Sequence, residues 1–273
     1  MKSPDFKRTY PKKHLGQNYL TDENVSRKII DAFSPEPDEI ILEIGPGKGA
    51  LTKYLLKHNK NVIAVELDSN NYELLAENYA GLILINDDIL KISFRDTLKN
   101  CAQSSGTGKL RVIGNIPYNI TSDILFKLID ERESITDAQI MMQEEVAQRL
   151  TAKPNTKAYG ILSVMLQTYT VPELLFKVSA NCFYPKPKID SRVVKIGFSN
   201  DLEHKIINRD FYRKFVRTAF GTRRKTLRNS LKNLGIKINE TELDFDFNRR
   251  AESLNVEEFI NLSNSIYDNI IMT

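Results

Sequence analysis

The stretch Ile40-Ile41-Leu42-Glu43-Ile44 runs straight into Gly45-Pro46-Gly47-Lys48-Gly49, and a helical pattern through Leu51, Tyr54, Leu55 and Leu56 follows at once. Strand, glycine turn and helix in that order constrain this chain more than any other feature. A short, nearly continuous apolar run has the length and character of a buried strand. A buried strand leading directly into a helix points to an α/β sheet. The turn lets a ligand approach the backbone closely, and the helix start aims free N–H groups at it. Its spacing is GxGxG, not the GxGxxG of dinucleotide binders, and a lone glycine turn is compatible with many ligands.

Three further strands end in residues able to bind a ligand. Asn61 to Val65 ends at Glu66, about 20 positions beyond the glycines, where a carboxylate suits two ribose hydroxyls and repels a 2′-phosphate. Leu82 to Ile85 ends in Asn86-Asp87-Asp88, and a side chain there can read the edge of an adenine ring. Both acidic sites have a plainer reading as helix caps after a strand. Leu110 to Gly114 delivers Asn115-Ile116-Pro117-Tyr118. Ligands of open α/β sheets sit at the carboxyl ends of strands, so these signals converge on one edge.

The tetrapeptide suits an exocyclic amine of a flipped-out base. An Asn side-chain oxygen and a backbone carbonyl next to Pro accept the two amine protons. The Tyr ring stacks on the base, worth about 1–3 kcal/mol. Taken alone, Gly114, Asn115 and Pro117 are also ordinary turn residues. Elsewhere, Thr21 or Asp22 caps a helix to about Phe33, and Thr121 or Ser122 caps another. Strands are expected at 139–142, 173–178 and 192–198, and a helix at 161–166. Between the last two strands, prolines stiffen Phe183-Tyr184-Pro185-Lys186-Pro187-Lys188 and hold both aromatics and both lysines outward, either as a base-stacking, phosphate-touching lip or as a rigid hairpin with incidental charges.

Charge distribution adds a partner class. The 273 residues carry a net charge of +4. Lys2, Lys7, Arg8, Lys12 and Lys13 make a basic N-terminal arm. From Lys205 to Lys232 ten basic residues stand against Asp210 alone, a footprint for a polyanion. A basic helix is expected to begin at Arg223-Arg224-Lys225-Thr226-Leu227-Arg228. Cys101 and Cys182 have no CxxC or Cys/His neighbours, so no metal site is expected, and a reducing compartment fits. No secretory signal or membrane-spanning run is apparent.

Several of these stretches resemble the small-subunit ribosomal RNA adenine dimethyltransferases. They are His14-Leu15-Gly16-Gln17-Asn18-Tyr19-Leu20, Glu43 to Gly49, Glu66, the Asn115 tetrapeptide, Tyr159 to Val164, Phe183 to Ser191 and Arg223 to Arg228. The resemblance implies a seven-stranded, Rossmann-like class I methyltransferase sheet with one antiparallel strand over residues 1–203. A small all-α domain for RNA and ribosome contact would occupy 204–273. It implies S-adenosylmethionine at Asn18, Leu20, Gly45, Gly47, Glu66, Asp88 and Asn115. The target adenine would sit at Asn115, Pro117 and Tyr118, with Phe183 as a second stacking position. RNA would meet Arg223, Arg224, Lys225, Arg228, Lys186 and Lys188.

The implied substrate is two adjacent adenosines near the 3′ end of 16S rRNA in the immature 30S subunit, each dimethylated on N6. The enzyme is expected to be a cytoplasmic monomer. Two positions depart from the family pattern: Asp87, often Gly, and Ile161, often Arg. The rival readings are a macrolide-resistance enzyme acting on 23S rRNA and a non-catalytic assembly factor on the same scaffold. A DNA adenine methyltransferase usually has two adjacent prolines in the tetrapeptide.

Overall fold

The computed structural model describes residues 10–12, 15–101, 108–198, 201–236 and 238–271. Lys2, Lys7, Arg8, Lys13 and His14 lie outside the described residues, as does the small polar stretch 102–107.

In chain order the elements are β1 (Tyr19–Leu20), α1 (Glu23–Phe33), β2 (Ile40–Ile44), α2 (Thr52–His58), β3 (Val62–Val65), α3 (Ser69–Asn78), β4 (Ile83–Ile85), α4 (Phe94–Cys101) and β5 (Leu110–Asn115). They continue with α5 (Thr121–Asp130), β6 (Ile135–Gln143), α6 (Glu144–Leu150), α7 (Ile161–Tyr169), β7 (Val171–Val178), β8 (Phe183–Tyr184) and β9 (Ser191–Gly197). The last are α8 (Arg209–Phe220), α9 (Leu227–Ser230) and α10 (Val256–Ile271).

Seven strands form one sheet in the order β4-β3-β2-β5-β6-β9-β7. β4, β3, β2, β5 and β6 pair in parallel, and β9 runs antiparallel to β6. Every residue of β2 and β3 is buried, which is why both read as unbroken apolar runs. A separate two-stranded ribbon pairs β1 with β8, joining Tyr19 to Tyr184 and Leu20 to Phe183.

The chain divides into two compact units, 1–147 with 173–198, and 148–172 with 199–273. The expected boundary after residue 203 therefore misses 148–172. Within the second unit α7 packs on α8 and α10. Seven of its nine residues are buried, more than a sheet-facing stripe would need, so it requires helices around it. Thr168 Oγ1 shares a 2.8 Å hydrogen bond with the Tyr212 hydroxyl, and the Tyr159 hydroxyl donates to the Leu254 carbonyl at 2.8 Å.

Two local expectations are corrected. Asp22 does cap α1, accepting from the Asn24 and Val25 amides. At α5, however, Thr121 is the first helical residue, and its hydroxyl turns back to the Pro117 carbonyl at 3.1 Å. The basic run does not begin a helix either. Residues 221–225 form turns, and α9 starts at Leu227 after an extended Thr226 (ψ 161°). Among the described residues no helix is long and apolar enough to cross a membrane.

Candidate active site

Register places the site. Ile44 lies beside Val65 and Gly114, and Val65 lies beside Ile85. The next residue on each strand is then Asn86, Glu66, Gly45 and Asn115, in sheet order. They come out as one row about 4.8 Å apart. The pairing extends one step past the strands, with Gly45 N–H on the Val65 carbonyl and Glu66 N–H on the Ile85 carbonyl, both at 3.0 Å. Gly114 permits this close approach, because a Cβ there would sit 2.7 Å from the Ile44 carbonyl oxygen.

Above the row lies a cleft of two lobes, each about 680 Å³ and continuous with solvent, which share Gln17, Gly45, Glu66 and Pro117. The first lobe is walled by Asn18, Tyr19, Leu20, Gly47, Asn115 and Tyr118. The second is walled by Leu67, Asp88, Ile89, Asn119 and Ile124. Gly45 has φ +63°, and the space a Cβ would take is empty. A ligand can therefore lie directly against its backbone.

Glu66 is 6 % exposed between the lobes. Its Oε2 accepts from Gly47 N–H and its Oε1 from Asp68 N–H, both at 2.9 Å. Burial pushes this carboxyl up, and the two N–H groups oppose the shift. The Asn71 side chain also bonds to this carboxylate, which has acceptor capacity left for a ligand hydroxyl. Asp88 Oδ1 accepts from Leu90 N–H at 3.0 Å, and the Asp88 amide is taken up by Asp87 Oδ1 at 2.7 Å. The departure at Asp87 thus engages an amide that glycine would leave free.

Asn115 Nδ2 donates to the Asn18 carbonyl at 3.0 Å. Among the described residues nothing donates to Asn115 Oδ1 or to the Ile116 carbonyl. The Pro117 carbonyl, by contrast, receives Thr121 Oγ1 at 3.1 Å and Ile120 N–H at 3.4 Å. The Tyr118 hydroxyl shares a 2.7 Å hydrogen bond with Ser191 Oγ, which fixes the ring. Burial, opposed by that hydroxyl and reinforced by Asp190, holds the phenol above its ordinary range.

Of the residues read from sequence, Asn18, Leu20, Gly45, Gly47, Glu66, Asp88, Asn115, Pro117 and Tyr118 all line the cleft. Phe183 does not. It is 4 % exposed, inside the hydrophobic cluster that includes Leu20, Ile29, Ile113 and Val193. Strand alternation turns Phe183 inward and Tyr184 outward, so only one of the two aromatics faces solvent, 59 % exposed. Tyr19 and Lys48, which stand inside the quoted motifs without an assigned role, also line the first lobe, as does Asn71, which carried no sequence signal.

The basic residues divide as well. Lys186 and Lys188 are both exposed along the loop after β8. In the second unit Arg223 binds the Lys157 carbonyl at 2.7 Å and pairs with Glu252, while Arg228 pairs with Glu240. Arg224 and Lys225 are exposed, with no side-chain partner among the described residues.

A family model described as ribosomal RNA adenine dimethylase matches residues 9–268. The ribosomal RNA small subunit methyltransferase A of Francisella tularensis subsp. novicida (strain U112) is 41% identical over 262 residues, 94% of this chain and 98% of that protein. A dimethyladenosine transferase from Plasmodium falciparum superimposes with TM-score 0.72 at 25% identity, covering 91% of this chain and 97% of that one. The 23S rRNA methyltransferase ErmE, at TM-score 0.62 and 23% identity over 92% and 100%, shares the fold. The sheet is thus that of a class I methyltransferase, whose chemistry depends on S-adenosylmethionine. With its family match running almost end to end, the chain belongs to the ribosomal RNA adenine dimethylases.

Proposed function

We propose that the enzyme dimethylates N6 of two neighbouring adenosines near the 3′ end of 16S rRNA, in the immature 30S subunit, with S-adenosylmethionine in the two-lobed cleft. In this reading it works as a cytoplasmic monomer. The observation that carries it is the pair of unclaimed acceptors, Asn115 Oδ1 and the Ile116 carbonyl, at the wall of a cleft centred on Gly45 and Glu66.

The residues present suit that cofactor. The Gly45 backbone is open to contact, Glu66 accepts a ribose diol, and Asp88 stands in the second lobe for the adenine edge. Bound there, S-adenosylmethionine supplies a methyl group already activated on sulfur. The chain's own task is placement, and alignment of this kind contributes up to about 7–11 kcal/mol.

Asn115 Oδ1 and the Ile116 carbonyl accept the two N–H bonds of the target amine and hold its lone pair toward the cleft. As positive charge develops on nitrogen these bonds become charge-assisted, so they strengthen where the barrier lies. The Tyr118 ring, locked by Ser191, offers a stacking face. The proton leaves after transfer, so a strong base is not needed. After the first methylation one N–H remains, and one acceptor suffices to orient the second. Tyr184, Lys186 and Lys188 offer a ring and two charges to RNA flanking the target.

Radiolabelled methyl transfer to undermethylated 30S particles and to 50S particles, followed by mapping of the modified base, tests this reading. Label on adjacent adenosines of the 30S RNA supports it. Label on 50S would favour the 23S alternative, the activity ErmE's name describes. No label on either would favour an assembly factor.

A further inference from the structure

Asp68 lines neither lobe of the cleft, yet its carboxylate is 2 % exposed and fully engaged. Oδ1 accepts from Lys12 Nζ at 2.7 Å and from Asn70 N–H at 3.0 Å. Oδ2 accepts from Gln17 Nε2 at 2.9 Å. Gln17 Oε1 in turn accepts from Lys12 N–H at 2.7 Å and from the Tyr19 hydroxyl at 2.8 Å. Asn71 Nδ2 donates to that hydroxyl at 3.2 Å. The Asp68 amide donates to Glu66. Burial alone would push the Asp68 carboxyl up, but the bonds from Lys12, Gln17 and Asn70 outweigh it and hold it low.

Among the described residues between Lys12 and Asn18 there is no strand, and Leu15 sits in a short 3-10 turn with its N–H on the Lys12 carbonyl at 3.1 Å. Among the described residues, the hydrogen bonds that hold this segment to the sheet edge are this network and the Asn115–Asn18 bond. Gln17, Asn18, Tyr19, Asn71 and Glu66 all line the first lobe. One buried carboxylate therefore ties Lys12 and Gln17 to the residues that wall the cleft.

We propose that Asp68 is a positioning residue for the cofactor: by strapping Lys12 and Gln17 to the sheet edge it sets cofactor affinity without touching the cofactor. The proposal rests on reading the cleft as the S-adenosylmethionine site. If the strap is loose most of the time, apparent affinity falls in proportion to the fraction closed.

The test is calorimetric titration of the full chain with S-adenosylhomocysteine. Asp68→Asn keeps a good cap for α3 and removes the charge, while Lys12→Met removes the partner and caps nothing. Each is expected to weaken binding about tenfold, as a strap open about nine-tenths of the time requires. The kcat at saturating cofactor should fall less than about twofold. Lys12→Arg should keep wild-type affinity. The double variant should bind no worse than the weaker single variant, because both break one link. Unchanged affinity in Lys12→Met overturns the strap even if Asp68→Asn fails to fold, and so do losses that multiply in the double variant. A wild-type chain that does not bind the probe overturns the cofactor reading and the strap with it.

Discussion

Asn115 Nδ2 donates to the Asn18 carbonyl at 3.0 Å, across 97 positions of sequence. That bond turns Oδ1 of the same amide toward the cleft and ties the N-terminal wall to the tip of β5. In the proposed mechanism, Asn115→Ala removes an acceptor whose bond strengthens in the transition state, and kcat should fall by about 10²–10³. Affinity for S-adenosylhomocysteine should fall by about tenfold at most, one ordinary hydrogen bond being worth about 0.5–1.5 kcal/mol. Labelled methyl transfer beside calorimetry separates the two effects. Equal losses would leave Asn115 with a cofactor role alone.

Phe183 and Tyr184 are neighbours with opposite surroundings. Phe183 is buried in the cluster behind β1, so Phe183→Ala should cost about 3–5 kcal/mol in urea unfolding. Tyr184→Ala should change stability by no more than about 0.5 kcal/mol. If Tyr184 stacks on flanking RNA, its loss should raise KM for 30S particles about 5- to 150-fold, the equivalent of about 1–3 kcal/mol. An unchanged KM would remove Tyr184 from the RNA surface.

The basic turn should split in the same way. Arg224 and Lys225 have no side-chain partners among the described residues, whereas Arg223 holds the Lys157 carbonyl and Glu252. Replacing Arg224 and Lys225 with Ala should lower the slope of log affinity against log salt by about 0.7–0.9 for each phosphate no longer neutralised. Arg223→Ala should lower the melting temperature as well, because it leaves backbone carbonyls of the second unit without their donor. An unaltered salt slope in the Arg224 and Lys225 variant would exclude that turn from the RNA-binding surface.

Glu43 gives a pH dependence of known sign. It is 1 % exposed in β2, with Thr52 Oγ1 donating to Oε2 at 2.7 Å. Burial raises its pKa from 4.5 to about 7 despite that bond. A carboxyl raised in the folded state lends stability in full below its unfolded value. That stability is lost as pH rises through the folded value. Glu43→Gln should therefore melt higher than wild type near pH 8, by up to about 3 kcal/mol of stability, with little gain below pH 5. An equal gain at both pH values would mean that ionisation of Glu43 is not the cause.

Much of the fold was legible because the signals are local. Buried parallel strands are apolar runs, the turn after β2 needs glycines, and each strand's last residue follows from where its run stops. That was enough to name the row Glu66, Gly45 and Asn115, since parallel strands leading into helices present their ends on one edge. The burial of Phe183 was not legible in this way, because the direction of a two-residue strand depends on its partner β1, far away in sequence, through the Leu20–Phe183 pair. Nor was the turn at Arg223, where a helix is expected from the basic run and the side chain instead reaches backbone carbonyls near Lys157.

The amino-acid order alone determined the class of sheet, the glycine turn and the chemistry available at its edge, all written within a few residues of one another. Tertiary structure alone decided which acceptors stay unclaimed, which cations stay free, and that Lys12 and Gln17 close on Asp68 more than 50 positions away. Periodicity reports what a segment buries. It carries no record of which distant donor reaches a given oxygen first.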